Sequence, residues 1–131
     1  MGHAILDAIG TPTAQPRPRR SKSGGVYNPG TAKAWKEAVQ VAWIRSRAKP
    51  MRGPVALIIT FTFEAPKSDP NRTGHHEQKP DLDNLEKSTM DALTRVGAWE
   101  DDCKVAEKMT RKIWGKCAGA HIEIHELKGK E

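Results

Sequence analysis

The spacing of hydrophobic positions changes several times along the chain, and each change predicts an element. From His3 to Ile9, Ile5 and Ile9 fall on one face and Leu6 and Ala8 on the other, which predicts a short opening strand. Beyond it Trp35, Ala38, Val39, Ala42 and Trp43 recur at helical spacing. Asn28 as cap and Pro29 at the first helical position predict the start of that helix, and Pro50 its end. Val55, Leu57, Ile59, Phe61 and Phe63 then alternate with Thr60 and Thr62, the pattern of a central strand. Leu85, Thr89, Ala92, Leu93 and Val96 mark a second helix, with Asp83 and Glu86 spaced as a capping box and Gly97 at its C-terminal cap. Lys104 to Trp114 is an imperfect alternator, whereas Ala120, Ile122 and Ile124 alternate cleanly with His121, Glu123 and His125. The order β-α-β-α-β-β predicts an α+β fold, a small mixed sheet with two main helices, as a single domain over residues 1–131.

Two loops stand out. Residues 11–25 are rich in proline and glycine and carry Arg17, Arg19, Arg20 and Lys22. Residues 64–80 are polar, contain Pro66, Pro70, Gly74 and Pro80, and lead straight into an acidic motif. Trp35 and Trp43 belong to the first helix stripe and are expected in the core, and Trp99 is expected to anchor the turn that presents Asp102.

Composition narrows the function. The chain has 131 residues, with 22 Lys+Arg against 16 Asp+Glu and a net charge of +6, which favours a polyanionic partner. Its longest apolar run, Val55 to Ile59, is far too short to span a bilayer. The stretch Ile5 to Ile9 is broken by Asp7 and lacks the basic start of a signal peptide. A soluble, cytoplasmic protein without a membrane partner is expected. Cys103 and Cys117 are 14 apart and fit neither a zinc site nor a disulfide framework, so buried or incidental thiols are expected. A glycine-rich phosphate loop, a nucleophile elbow and a zinc-protease helix are all missing.

The chemistry concentrates in an acidic cluster. Asp81 and Asp83 are two apart, so an extended approach to the second helix would point both the same way. Asp83, Lys87 and Asp91 follow at four-residue intervals and form a polar stripe opposite Leu85, Thr89, Ala92 and Val96. Asp101 and Asp102 follow the turn from Gly97 to Glu100. One reading is a solvated helix face in which Lys87 pairs with Asp83 and Asp91. The other is a cation site, because gathered carboxylates repel unless something positive lies among them, and a hard ion such as Mg²⁺ meets that need.

Pro80-Asp81-Leu82-Asp83-Asn84-Leu85, Lys87, Asp91-Ala92-Leu93 and Gly97-x-Trp99-x-Asp101-Asp102 resemble the signature of RusA-type Holliday junction resolvases. Arg17-Pro18-Arg19 and Tyr27-Asn28-Pro29 extend the resemblance over most of the chain. It implies Asp81, Asp83 and Asp102 as metal-binding and catalytic carboxylates, Lys87 as a catalytic lysine, and supporting roles for Asp91 and Asp101. It further implies a Mg²⁺-dependent homodimer (Mn²⁺ being the alternative ion), of bacterial, prophage or phage origin, that nicks two opposed strands of a four-way DNA junction. Arg17, Arg19, Arg20, Lys22, Arg72 and Lys79 are the candidate phosphate contacts. Some relatives carry an arginine run before the Asp-x-Asp; here that place is His75-His76-Glu77-Gln78-Lys79, whose histidines are expected to be ordinary loop residues. The rival reading is a non-catalytic protein that binds branched or single-stranded DNA through the same basic surface.

Overall fold

The computed structural model describes residues 2–16 and 32–129, together with the backbone of 19–20 and 26–27. Strand β1 (His3–Ile9) is followed by the two-residue strands β2 (Arg19–Arg20) and β3 (Val26–Tyr27), which pair with each other. Then come helix α1 (Lys33–Ser46), strand β4 (Val55–Glu64), helix α2 (Leu82–Arg95), and strands β5 (Val105–Gly115) and β6 (Gly119–Glu126). The main sheet has the order β1-β6-β4-β5 and is mixed: β6 runs antiparallel to β1 and β4, and β5 runs parallel to β4. This is the expected α+β arrangement.

The alternation in β4 explains its place at the centre. Val55, Leu57, Ile59, Phe61 and Phe63 are all buried, and they meet Ala4, Leu6 and Ala8 of β1 and Ala120, Ile122 and Ile124 of β6 in one core. Two parallel neighbours need a long crossover, since a tight turn cannot return the chain to the same end. Residues 65–81 and α2 form that crossover, and the acidic motif lies within it.

Both helices contribute their apolar stripes to this core. Trp35, Val39, Ala42 and Trp43 are buried on α1, and Leu85, Ala92 and Leu93 on α2. The Trp35 indole donates to the buried Thr89 hydroxyl at 3.1 Å, which itself donates to the Leu85 carbonyl at 2.8 Å, so a polar pair inside the core is satisfied. Trp99 is buried as well.

Three local expectations are corrected. Helix α1 starts at Lys33 with Ala32 as its cap, so Asn28 and Pro29, which lie outside the described residues, do not begin it. Helix α2 starts at Leu82 with Asp81 as N-cap, and Asp83 therefore sits inside the first turn rather than on an extended approach. The expected Asp83–Glu86 capping box is absent because Glu86 turns to the sheet, where it pairs with Lys108 at 2.7 Å and accepts from the Thr110 hydroxyl. At the other end Gly97 adopts φ +87°, its N–H donates to Thr94 O at 3.1 Å, and the Ala98 N–H donates to Leu93 O at 2.9 Å. This double closure needs a left-handed residue, and glycine takes it without strain. Cys103 and Cys117 are exposed free thiols, so of the two expected alternatives, buried or incidental, burial does not apply.

No helix among the described residues is long and apolar enough to cross a membrane.

Candidate nuclease site

The start of α2 presents two carboxylates. Asp81, in extended conformation, caps the helix through its backbone: its carbonyl accepts from the Leu85 N–H at 3.1 Å, and its side chain makes no capping bond. Asp83 follows in the first turn, and both residues are exposed. The positive end of the helix dipole favours negative charge here. Neither carboxylate has an ion-pair partner among the described residues.

The approach to Asp81 is pinned from beneath. Lys112 of β5 donates to the carbonyls of Gln78 at 2.6 Å and Pro80 at 2.8 Å, and the Lys79–Pro80 bond is cis. Further back, the His76 N–H donates to Lys112 O at 3.0 Å, and the Trp114 N–H donates to Gly74 O at 2.9 Å. The His76 ring lies buried, 4.3 Å from the rings of both Phe63 and Trp114. Burial, with the Lys112 charge adding to it, pushes its pKa below the ordinary value of 6.5, so the ring is held neutral. It therefore serves as an anchor for the loop rather than as an ordinary loop residue, while His75 is exposed. Arg72 pairs with Asp69 at 3.1 Å and stacks over Trp114 at 5.3 Å, and Lys79 is exposed.

On the other side, the segment leading into the basic loop is tied to α2. The Gln15 N–H donates to Asn84 O at 3.0 Å, and the Ser88 hydroxyl donates to Thr13 O at 2.5 Å. Residues 13–15 thus run beside the first turns of α2. Arg17 and Lys22 lie outside the described residues, and of Arg19 and Arg20 only the backbone is described.

Asp102 lies at the far end of α2. Its Oδ1 accepts the Thr94 hydroxyl, and Thr94 Oγ1 accepts from the Trp99 indole at 2.7 Å. Asp101 caps the short 3-10 turn Asp102–Lys104, its Oδ1 accepting from the Asp102 N–H at 2.7 Å. The expected anchoring role of Trp99 is visible in this chain of bonds. At 1.5 Å per residue, Asp83 and Thr94 are roughly 16 Å apart along the helix axis. Accordingly, no three His, Cys, Asp or Glu side chains among the described residues are grouped closely enough to hold a metal ion.

Lys87 is exposed one turn beyond Asp83, with no ion pair to Asp83 or Asp91 among the described residues. Asp91 lies instead 2.8 Å from Lys36 of α1 and 3.1 Å from Arg95.

Thr94, Lys112, Glu86 and His76 were missed by the sequence reading. A signal existed for two of them. At 100° per residue Thr94 shares the face of Asp83 and Lys87. Lys108 and Lys112 are polar intrusions on one face of β5, which is why its alternation looked imperfect.

These features define a class first: a small α+β protein with exposed carboxylates at the start of one helix and just beyond its end. The profile of the family described as "Endodeoxyribonuclease RusA" matches residues 10–125, most of the chain, and the protein belongs to that family. It is also 30% identical over 134 residues to a protein of Bacillus subtilis (strain 168) named "Uncharacterized protein YqaN", with 90% of this chain and 92% of the relative covered.

Proposed function

We propose that this protein is a divalent-cation-dependent, structure-selective endodeoxyribonuclease that resolves Holliday junctions by paired nicking, acting in the cytoplasm as a homodimer of one-domain chains. The observation that carries this reading is the family membership together with two exposed carboxylates, Asp81 and Asp83, at the α2 N-terminus that have no ion-pair partner among the described residues.

The donor set suits a hard cation. Asp81 and Asp83 offer carboxylate oxygens that no cation among the described residues pairs with, and Mg²⁺ is commonly held by one or two carboxylates with water. Asp102 sits beside Thr94 near the other end of α2, and a second copy would be needed to bring it to the same cation. A bound Mg²⁺ or Mn²⁺ would supply an activated water and charge neutralisation at the scissile phosphate. The remaining roles fall to the chain itself. Lys87 offers an exposed ammonium, without an ion pair among the described residues, between the two ends of the acidic face and stabilises charge on the phosphate. Asp101 and Asp91 act behind the site, one fixing the backbone of Asp102 and the other joining α2 to α1. Arg17, Arg19, Arg20, Lys22, Arg72 and Lys79 meet flanking phosphates, which positions DNA without reading its sequence.

The homodimer follows from two considerations. A four-way junction has two symmetry-related scissile strands, and a two-fold dimer presents two matched sites. The separation along α2 gives the second: one chain does not bring its three aspartates together.

The test is nicking of a synthetic four-way junction against a linear duplex, with and without Mg²⁺. Asp81→Asn, Asp83→Asn and Asp102→Asn should each abolish cleavage while junction binding persists or tightens. Binding without cleavage by the wild-type protein in Mg²⁺ or Mn²⁺ would instead favour a non-catalytic junction binder.

A further inference from the structure

We infer that Thr94 is a positioning residue for Asp102, oriented in turn by the Trp99 indole; this rests on the catalytic role proposed for Asp102. A helical threonine ordinarily bonds to the backbone of its own helix. Its hydroxyl has one proton, and near a helix end that proton usually returns to the carbonyl one turn back. Thr89 of the same helix does so, donating to Leu85 O at 2.8 Å. Thr94 does not: its proton goes to Asp102 Oδ1 across the turn.

The reason is the Trp99 N–H. It donates to Thr94 Oγ1 at 2.7 Å and takes up acceptor capacity of the hydroxyl, leaving the proton to point away from the indole. Trp99 has little freedom to do otherwise, being 2% exposed within the core. The turn that carries it is closed by the paired bonds around Gly97 and by the Met51 N–H, which donates to Ala98 O at 2.7 Å. Core packing is thereby transmitted through Trp99 and Thr94 to the exposed carboxylate of Asp102.

Asp102 is then held at two points, its backbone N–H by Asp101 and one side-chain oxygen by Thr94. A single rotamer is selected, and Oδ2 is left for a cation or for the nucleophilic water. Outer partners of this kind that orient a carboxylate typically contribute about 10–100-fold in metal affinity or activity.

The test compares Thr94→Val, which keeps the shape and removes the hydroxyl, with Thr94→Ser, which keeps it. Thr94→Val should slow single-turnover junction cleavage by about 10–100-fold and weaken Mn²⁺ binding, measured by calorimetry on the protein without DNA, by about tenfold. Junction affinity should stay close to wild type, the melting temperature should fall modestly because the buried Trp99 N–H loses its acceptor, and Thr94→Ser should restore the melting temperature, the rate and the Mn²⁺ affinity. Trp99→Phe, which keeps the ring and loses the donor, should fall between the two. Wild-type cleavage and Mn²⁺ affinity in Thr94→Val, alongside an inactive Asp102→Asn, would overturn the role of Thr94 and leave the nuclease reading standing. Wild-type cleavage by Asp102→Asn would overturn the role of Asp102 itself. A Thr94→Val that lost rate only in proportion to lost folded protein, with Thr94→Ser equally impaired, would also overturn the inference.

Discussion

Lys36 of α1 reaches the Asp91 carboxylate of α2 at 2.8 Å, and Arg95 approaches the same oxygen at 3.1 Å. The pair ties the helices together on the flank of the site, with the Lys36 side chain only 14% exposed. The resemblance implies a supporting role for Asp91, yet its charge is already balanced by two cations of its own chain. Asp91→Ala should therefore act on stability first, lowering it by about 1–2 kcal/mol, between an exposed ion pair and a buried one. Urea denaturation checks this. Cleavage by the folded fraction should stay within about threefold of wild type, since the residue is proposed to act behind the site.

Lys87 gives the opposite expectation. With no ion pair to lose among the described residues, Lys87→Ala should leave stability within about 0.5 kcal/mol of wild type. If its ammonium faces the phosphate as proposed, cleavage should fall by about 10²–10³-fold. Lys87→Arg keeps the charge but exchanges a compact ammonium for a planar fork, and should also be slow. Single-turnover rates at saturating Mg²⁺ decide the matter; near-normal cleavage by Lys87→Ala would reduce the residue to a solvated lysine.

Lys112 holds the chain just before Asp81 through two carbonyls. Lys112→Met keeps the stem and deletes both bonds. Stability should drop by about 1–3 kcal/mol, the range for hydrogen bonds to a charged group. Cleavage should fall more than junction binding does, because the approach to Asp81 and Asp83 loosens. Amide exchange should rise around residues 74–80 and remain unchanged in β1.

Two histidines should give opposite pH dependences. Asp7 accepts from His121 at 2.7 Å and, with Glu123 helping, raises its pKa above 6.5. The folded state therefore holds that proton more tightly, so the stabilisation is present below the unfolded value and is lost as pH rises through the folded one. His76 is shifted the other way, chiefly by burial. The unfolded state there binds the proton more tightly, and stability falls as pH drops below 6.5. Between about pH 8 and about pH 5.5, Asp7→Asn should lose stability relative to wild type as the solution is acidified, and His76→Phe should gain it. Denaturation midpoints at the two pH values test both, and parallel changes in all three proteins would show that neither histidine is linked to folding.

Much of the fold was legible in the sequence because period and burial are locally coupled. A two-residue period in β4 and β6 and a helical period in α1 and α2 follow from which side must meet the core. The acidic positions were legible too, through their resemblance to a known signature. Pairing partners were not. Asp83, Lys87 and Asp91 share a stripe on any helix, but only the packing of α1 against α2 brings Lys36 to Asp91 and leaves Lys87 without it. Glu86 looked like half of a capping box, and the sheet beneath supplied Lys108 and Thr110 instead. The resemblance also implied that Asp81, Asp83 and Asp102 share a metal, whereas the rigid rise of the intervening helix holds the first two at one end and the third near the other. Sequence thus determined which residues are helical, extended, apolar or charged, since those depend on neighbours along the chain. Tertiary structure decided which charges meet and how far apart the carboxylates stand, because these depend on distances between elements that no local pattern encodes.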